Sequence, residues 1–218
     1  MAKSTLLNIL AGLIKQDSGS ILYRGQSMLH DGDSFYTPRI GYMLQHDHLF
    51  EWRTILKNVL LGLEIRKELT KENIEYVEEL LHKYGLYEFR HKKPSQLSGG
   101  MKQRAALIRT LALNPEILLL DEPFSALDYQ TRLSVSGDIG SIIRENKKTA
   151  VLVTHNLSEA ISLADKILVL SKRPATIKKQ VKIALTITDH SPLGYRSAKE
   201  FNGYFNEIWE DLCDEKNI

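Results

Sequence analysis

Runs of apolar residues separate three segments of this chain from their polar surroundings. Residues 40–44 are Ile-Gly-Tyr-Met-Leu, residues 117–120 are Ile-Leu-Leu-Leu, and residues 150–153 are Ala-Val-Leu-Val. Such runs are typical of strands buried on both faces, as in parallel sheets covered by helices. Further strands are predicted at residues 20–23 and 166–170. We therefore expect an α/β fold with a mostly parallel sheet.

Helical periodicity fills much of the remaining chain. Apolar residues recur at helical spacing in residues 55–86, where Thr70 is a suitable cap, and in residues 133–143. The last predicted helix covers about residues 197–213. We expect its apolar face to dock on the core, with binding to a partner protein as the alternative. That face contains Phe201, Phe205, Ile208, Trp209 and Leu212.

Polar side chains follow each of the three apolar runs. Asp121 and Glu122 come directly after one run, Gln45 after another, and His155 follows the third with one threonine between. The carboxyl ends of parallel strands meet at one edge of a sheet, where open α/β folds bind ligands. The two carboxylates are therefore expected at a site for a nucleotide and a metal ion, and Gln45 and His155 are expected at the same edge. Taken singly, each also fits an ordinary helix start or a polar residue leaving a strand.

Two other segments are typical of phosphate binding. Residues 3–5, Lys-Ser-Thr, open an apolar helix and match the end of a phosphate loop, in which the lysine reaches the phosphates and the serine binds Mg²⁺. Ser98 is a suitable cap for a helix whose first turn contains Gly99 and Gly100, so backbone N–H groups would face a phosphate. A simple turn is the alternative explanation for this second segment.

Taken in order, residues 97–104 (Leu-Ser-Gly-Gly-Met-Lys-Gln-Arg), 117–123 and 125–128 carry a family resemblance. They resemble the signature sequence, the Walker B motif and the D-loop of the ATP-binding-cassette (ABC) ATPases. The resemblance covers nearly the whole chain. It implies the ABC ATPase fold, which is a RecA-like P-loop NTPase sheet with an inserted helical subdomain.

The expected domain organisation follows from the length and from this resemblance. A chain of 218 residues is long enough for one sizeable core, so we expect one nucleotide-binding domain. The resemblance places the core of the domain in residues 1–51 and 97–185. It places the helical subdomain at about residues 52–96, and a C-terminal helix follows at about residues 197–213.

The resemblance also implies an ATPase that uses ATP and Mg²⁺. Glu122 would polarise the attacking water, and His155 and Gln45 complete the implied catalytic set. The implied metal ligands are Ser4, Gln45 and Asp121. The implied nucleotide contacts are Lys3, Ser4, Thr5, Ser98, Gly99, Gly100, Gln103 and Asp128.

Several of these contacts would form only between two copies of the chain. Ser98 and Gly100 would reach the γ phosphate of ATP bound by the other copy, so the resemblance implies a homodimer. Asn156 stands where the family often has an acid, which affects one contact across that dimer. The dimer would drive a membrane permease, and through it would serve a solute-binding protein.

A permease contact is expected near Phe50 and Trp52, and a local core cluster is the alternative. The segment from Gln45 to Thr54, together with residues 171–174, most resembles the nitrate, sulfonate and taurine importer branch. The solute itself cannot be inferred from this sequence. Two other classes remain open: a soluble cassette protein outside transport, and a degenerate cassette that binds partners without hydrolysing ATP.

Composition restricts the location and the partners. The net charge of +2 gives no basic face for nucleic acid, and the single cysteine, Cys213, fits a reducing compartment. No apolar run approaches the roughly 20 residues that span a bilayer. We expect no signal peptide, and a cytoplasmic protein that lies on the inner face of the membrane through its partners.

The resemblance begins inside the phosphate loop, because the glycines that normally precede Lys3 are not in the sequence. We expect the loop and the strands before it to be missing, and the chain that starts at Met1 to bind ATP poorly or not at all and to be marginally folded. Each lost hydrogen bond to a phosphate is worth about 1.5–3 kcal/mol. The strand that precedes the loop is expected to lie next to the Walker B strand.

Overall fold

The computed structural model describes residues 2–27, 40–172, 174–187 and 192–213. Its helices are α1 (Ala2–Leu10), α2 (Ile55–Val59), α3 (Leu61–Arg66), α4 (Lys71–Lys83), α5 (Gly99–Leu111), α6 (Tyr129–Glu145), α7 (Leu157–Leu163), α8 (Pro192–Ser197) and α9 (Phe201–Cys213). Its strands are β1 (Leu22–Tyr23), β2 (Gln26–Ser27), β3 (Ile40–Met43), β4 (Ile117–Asp121), β5 (Thr149–Val153), β6 (Lys166–Leu170) and β7 (Ile177–Lys182). The predicted α/β class is confirmed.

The three apolar runs form one parallel sheet in the order β3-β4-β5. Met43 pairs with Leu120, which pairs on its other side with Leu152. One step further along β4, Asp121 pairs with Val153. All three strands point the same way, so their carboxyl ends and the polar residues that follow them lie at one edge.

The position expected for the strand before the phosphate loop is wrong. The sequence predicts it next to the Walker B strand, which is β4, but β3 and β5 lie on the two sides of β4. In the described ranges the outer strands of this sheet are β3 and β5. From Ile117 to Leu120 the Walker B strand is therefore paired on both sides by strands of the chain itself.

Helices cover both faces of β4. Leu119 points to the face where Leu7 of α1 and Val153 of β5 pack around it. Leu118 and Leu120 point to the opposite face and join the largest apolar cluster, which contains α5. All three side chains are at most 1% exposed. The strand is therefore buried on both faces, which explains its continuous aliphatic run.

Residues 52–96 contain only helices, the last two being short 3₁₀ turns at Tyr87–Phe89 and Pro94–Gln96. Thr54 caps α2 and Thr70 caps α4, each by accepting a hydrogen bond from a backbone N–H three residues ahead. The apolar sides of these helices pack on α5, and the cluster continues without a break into β3 and β4. The subdomain boundaries remain a prediction.

The C-terminal part contains one strand that the sequence pattern does not predict. β7 pairs antiparallel with β6 and has four polar residues among its six, with only Val181 buried. Its inward side, the α7 helix and α9 form a second apolar cluster. Arg173, in the segment that resembles the importer branch, lies outside the described residues.

The last helix only partly fits its expected role. It begins at Phe201, and a separate short helix, α8, precedes it. Phe201 and Ile208 are buried against the second cluster and Phe205 packs beside them, but Trp209 is 49% exposed and Leu212 is 37% exposed. Docking on the core therefore involves one side of the predicted apolar face. Within the described ranges, no helix combines the length and the apolar character needed to cross a bilayer.

Two glycines give a matched prediction about packing. A Cβ atom at Gly41, in β3, would lie 2.6 Å from Thr110 Cγ2 and 2.9 Å from Pro115 Cγ. A Cβ atom at Gly203, in α9, would meet nothing within 4 Å. We expect Gly41→Ala to lower the free energy of unfolding by about 1–3 kcal/mol through overpacking. Gly203→Ala should raise it by about 0.5–1 kcal/mol through helix propensity.

Denaturant unfolding of both variants beside the unchanged chain measures these shifts. Each substitution adds the same single methyl group, so any general effect of handling or solubility is shared. If Gly41→Ala is as stable as the unchanged chain, then β3 and α5 are not in close contact at this point.

Candidate active site

Two carboxylates lie where β4 ends. Asp121 is 7% exposed, and its Oδ1 is buried with no hydrogen-bond partner among the described residues. Glu122 follows with φ of 45°, in the left-handed region that is unfavourable for a side chain with a Cβ. Its backbone N–H donates to the Val153 carbonyl oxygen at 2.9 Å. The sheet ladder thus continues for one residue while the chain turns sharply.

The turn after β5 places a histidine beside Glu122 and accepts a hydrogen bond from a lysine of α1. His155 Nδ1 lies 3.0 Å from Glu122 Oε2, and 61% of the histidine side chain is exposed. Lys3 Nζ, from the first turn of α1, donates to the carbonyl oxygen of Thr154 at 2.9 Å. Imidazole, carboxylate and ammonium groups from three separate elements therefore meet at one sheet edge.

Gln45 reaches the same group of residues through a serine. Its Nε2 donates to Ser125 Oγ at 3.4 Å, and Ser125 Oγ donates to the Glu122 carbonyl oxygen at 3.0 Å. Ser4 and Thr5 follow Lys3 in the first turn of α1, where Ser4 is half-buried and Thr5 is exposed. The residues expected together from the ends of β3, β4 and β5 are brought together.

The chemistry of this edge fits a magnesium nucleotide. Asp121 offers a buried oxygen without a partner, and Gln45 offers an amide oxygen. Among the described residues no group of three or more His, Cys, Asp or Glu forms a cage for a metal. That donor set suits Mg²⁺, which is usually held by one or two carboxylates, water and substrate phosphates rather than by protein alone.

The signature segment is organised around helix caps. Ser98 Oγ accepts from the backbone N–H of Met101 at 3.3 Å, as the sequence predicts. A Cβ atom at Gly100 would lie 2.9 Å from side-chain carbons of Thr131 and Val135. Only glycine permits this close approach of α5 to α6. The exposed start of α5 is therefore Ser98 and Gly99, with backbone N–H groups at a helix N-terminus.

Asp128 caps the neighbouring helix. Its Oδ1 accepts from the backbone N–H groups of Gln130 and Thr131, each at 3.1 Å. Hydrogen bonds from Thr131 lower the pKa of Asp128, so the carboxylate is the favoured form. The resemblance places Asp128 in the D-loop, but the sequence pattern does not predict that it is the N-cap of α6. This helix begins at Tyr129 rather than near residue 133.

Gln103, the next implied nucleotide contact, is buried. Its side chain is 2% exposed, and its Oε1 is buried without a hydrogen-bond partner in the described chain. The residue lies on a side of α5 that packs into the protein, because α5 is covered on most of its circumference. The nucleotide contact that the resemblance implies for Gln103 remains a prediction.

The loop after Gln45 separates into a buried and an exposed part. Leu49 is 8% exposed and belongs to the core, whereas Trp52 is 72% exposed. Phe50 packs on Trp52 with ring centroids 4.7 Å apart. The side-chain amide of Asn58, which is fully buried, accepts from the Phe50 N–H and donates to the carbonyl oxygens of Phe50, Arg53 and Thr54.

Sequence reasoning missed the residues that hold these loops. Arg109 of α5 donates to the carbonyl oxygens of Asp47 at 2.6 Å and His48 at 2.8 Å. Glu159 of α7 accepts from the Thr154 hydroxyl at 2.6 Å. An arginine or a glutamate in a helical segment normally indicates an exposed face, so no pattern in the sequence distinguishes these two positions.

Comparison with known proteins identifies the family. The sequence model described as ABC transporter matches residues 2–125. The ABC transporter ATP-binding protein YtlC of Bacillus subtilis is 46% identical over 210 residues, which are 96% of this chain and 79% of YtlC. The nitrate import ATP-binding protein NrtD of Synechocystis is 37% identical and shares 94% of this chain and 77% of its own length.

A solved structure agrees with these relatives. The dimeric ATP-binding cassette MJ0796, in a post-hydrolysis state bound to ADP and Pi, is similar with a TM-score of 0.68 and 32% identity. The similarity covers 84% of this chain and 81% of that one. Sequence and fold therefore agree with the arrangement at the strand ends: the chain belongs to the ABC transporter family, as an ATPase domain.

Proposed function

We propose that this ATPase uses Mg²⁺ and ATP to drive an importer, with Glu122 as the residue that activates water. The observation that supports this role is the contact between Glu122 and His155, at 3.0 Å, beside the unpartnered oxygen of Asp121. A carboxylate can accept a proton from water, and a neighbouring imidazole keeps its orientation fixed. Among the described side chains these two lie together at the edge where ligands of α/β folds bind.

The other residues at this edge have roles in holding the nucleotide. Asp121, Ser4 and Gln45 would hold Mg²⁺, which neutralises phosphate charge when bound. The ammonium group of Lys3 now donates to the Thr154 carbonyl oxygen and would turn to the phosphates. His155, largely exposed, is available to the γ phosphate.

The second half of each site would come from another copy of the chain. The start of α5 presents Ser98 and Gly99 at the surface, and helix N-termini favour anions. The related cassette MJ0796 is described as dimeric in its ADP-bound and Pi-bound state. We therefore propose a homodimer in which this helix start faces the nucleotide of the partner copy.

The transport assignment draws on the relatives and on the exposed Trp52. NrtD is named as a nitrate import protein, and the taurine import ATP-binding protein TauB of Pelagibacter ubique is 39% identical over 181 residues. We propose a solute of the nitrate, sulfonate or taurine class, delivered by a solute-binding protein. The chain would lie on the cytoplasmic face of the membrane, held by a permease that covers Trp52.

Glu122→Gln tests the assigned chemistry. In protein with an intact phosphate loop ahead of Lys3, we expect hydrolysis to fall by about 10²–10⁴-fold, the range for loss of a general base. ATP binding should survive, and a closed dimer should accumulate because it cannot hydrolyse its ATP. Phosphate release and size-exclusion chromatography with ATP measure the two effects. Normal turnover in this variant would remove Glu122 from the role.

Phe50→Ala combined with Trp52→Ala tests the permease surface. We expect weaker assembly with the permease and loss of transport, while basal ATP hydrolysis stays near normal because the Trp52 side chain is exposed and is not among the residues that contact the nucleotide. Phe89→Ala is the matched control, since Phe89 is an aromatic residue that is 38% exposed in the same helical part. Co-purification with the permease and vesicle uptake measure the effects. A double variant that unfolds would instead assign both side chains to the core.

A further inference from the structure

The turn that carries His155 rests on a buried carboxylate. Glu159, in the first turn of α7, is 7% exposed. Its Oε2 accepts a hydrogen bond from the Thr154 hydroxyl at 2.6 Å, and that hydroxyl oxygen accepts from the Asn156 N–H at 3.0 Å. The two bonds of Thr154 therefore bracket His155 and fix the backbone on both sides of it.

Glu159 also connects this turn to the loop at residues 125–128. Its Oε1 lies 3.9 Å from Arg132 Nε, an ion pair too long for a hydrogen bond. The other end of the Arg132 guanidinium, Nη2, donates to the Leu127 carbonyl oxygen at 2.8 Å. The carboxylate thus lies between the histidine turn and the loop that precedes α6.

The buried position of the Glu159 carboxylate is unfavourable for its charged form. Burial raises the pKa of Glu159 above its ordinary value, although the Thr154 hydroxyl and the charges of Arg132 and His155 favour ionisation. The negative charge of Glu122 raises the pKa further. An apolar side chain of similar size could fill the space without this penalty. A costly group at a functional edge is typical of a residue kept for activity rather than for stability.

We propose that Glu159 is a positioning residue for ATP hydrolysis, acting through Thr154 to hold His155 beside Glu122. The inference rests on the function proposed above for His155 and Glu122. The acceptor oxygen of Glu159 is the essential feature, because it sets the direction of the Thr154 hydroxyl. The imidazole is largely exposed, so its position depends on the backbone that this hydroxyl fixes.

Variants of Thr154 test the hydrogen bond. Thr154→Val, made in the same protein with an intact phosphate loop, keeps the branched shape and removes the hydroxyl. We expect kcat to fall by about 10–100-fold, as it does when reacting groups are slightly misplaced. KM for ATP should stay nearly unchanged. Thr154→Ser retains a hydroxyl and should restore most of kcat. The matched control is Thr149→Val, at the exposed start of the same strand, which should behave as the unchanged chain.

Variants of Glu159 separate positioning from folding. Glu159→Met has similar length but no acceptor, so it should lower kcat as Thr154→Val does. Glu159→Gln keeps an acceptor oxygen and should retain most of kcat. Glu159→Gln should not lower the thermal midpoint at neutral pH, because it removes the charge that burial disfavours and keeps an acceptor for the Thr154 hydroxyl. A purely structural role would lower midpoint and kcat together.

The pH dependence of stability checks that the charge is costly. The folded pKa of Glu159 is raised above its ordinary value of 4.5, so the folded chain binds this proton more tightly than the unfolded chain. The unchanged chain therefore loses stability as pH rises from 4.5 through the raised pKa. The thermal midpoint of Glu159→Met relative to the unchanged chain should increase over that range. A constant difference would contradict the buried charge.

The imidazole signals of His155 provide a readout that does not depend on turnover. In NMR spectra of the full chain labelled at histidine, Thr154→Val and Glu159→Met should shift these signals, whereas Thr149→Val should not. If Glu122→Gln turns over normally, the proposed function fails, and the His155 signals still decide the present inference. Unshifted signals with both variants, or unchanged kcat beside an inactive Glu122→Gln, would overturn it.

Discussion

The parallel pairing of β3, β4 and β5 is the constraint on which the site depends. β4 lies between the other two, with Leu119 against one layer of helices and Leu118 and Leu120 against the other. A strand buried in this way cannot shift its register by one residue without moving Asp121 away from the edge and placing apolar side chains on the wrong faces. The position of the carboxylates is therefore fixed by the packing of the β4 residues that precede them.

Local costs are concentrated at this edge. Asp121 has a buried oxygen without a partner, Glu122 has a positive φ, and Glu159 is a buried carboxylate whose pKa is raised by desolvation. Each feature opposes folding, and each is expected where a site must bind a charged ligand rather than be satisfied internally. The helices that cover the sheet, with their large apolar cluster, provide the stability that allows these features to persist.

The sequence predicts the parts of the structure that depend on local pattern. The strands that deliver Gln45, Asp121 and His155 are evident because burial on two faces requires unbroken apolar runs, and caps such as Ser98 are evident because few residue types can form them. Other features depend on the assembled fold. β7 is rich in lysine and forms a strand because its backbone pairs with β6. Gln103 is buried because other elements cover α5 on most of its sides.

The α5 helix shows why contacts between residues far apart in sequence are not predicted from local sequence patterns. Its N-terminus carries Ser98, while its last turns hold Arg109, whose guanidinium binds the carbonyl oxygens of Asp47 and His48. Residues 105–108 and 111 of this helix are completely buried, so the helix cannot bend or rotate without disturbing the core. The loop that exposes Trp52 and the surface around Ser98 are consequently attached to one rigid element. Arg109 and Asp47 are 62 residues apart in sequence, and only the packing of α5 on β3 makes them neighbours.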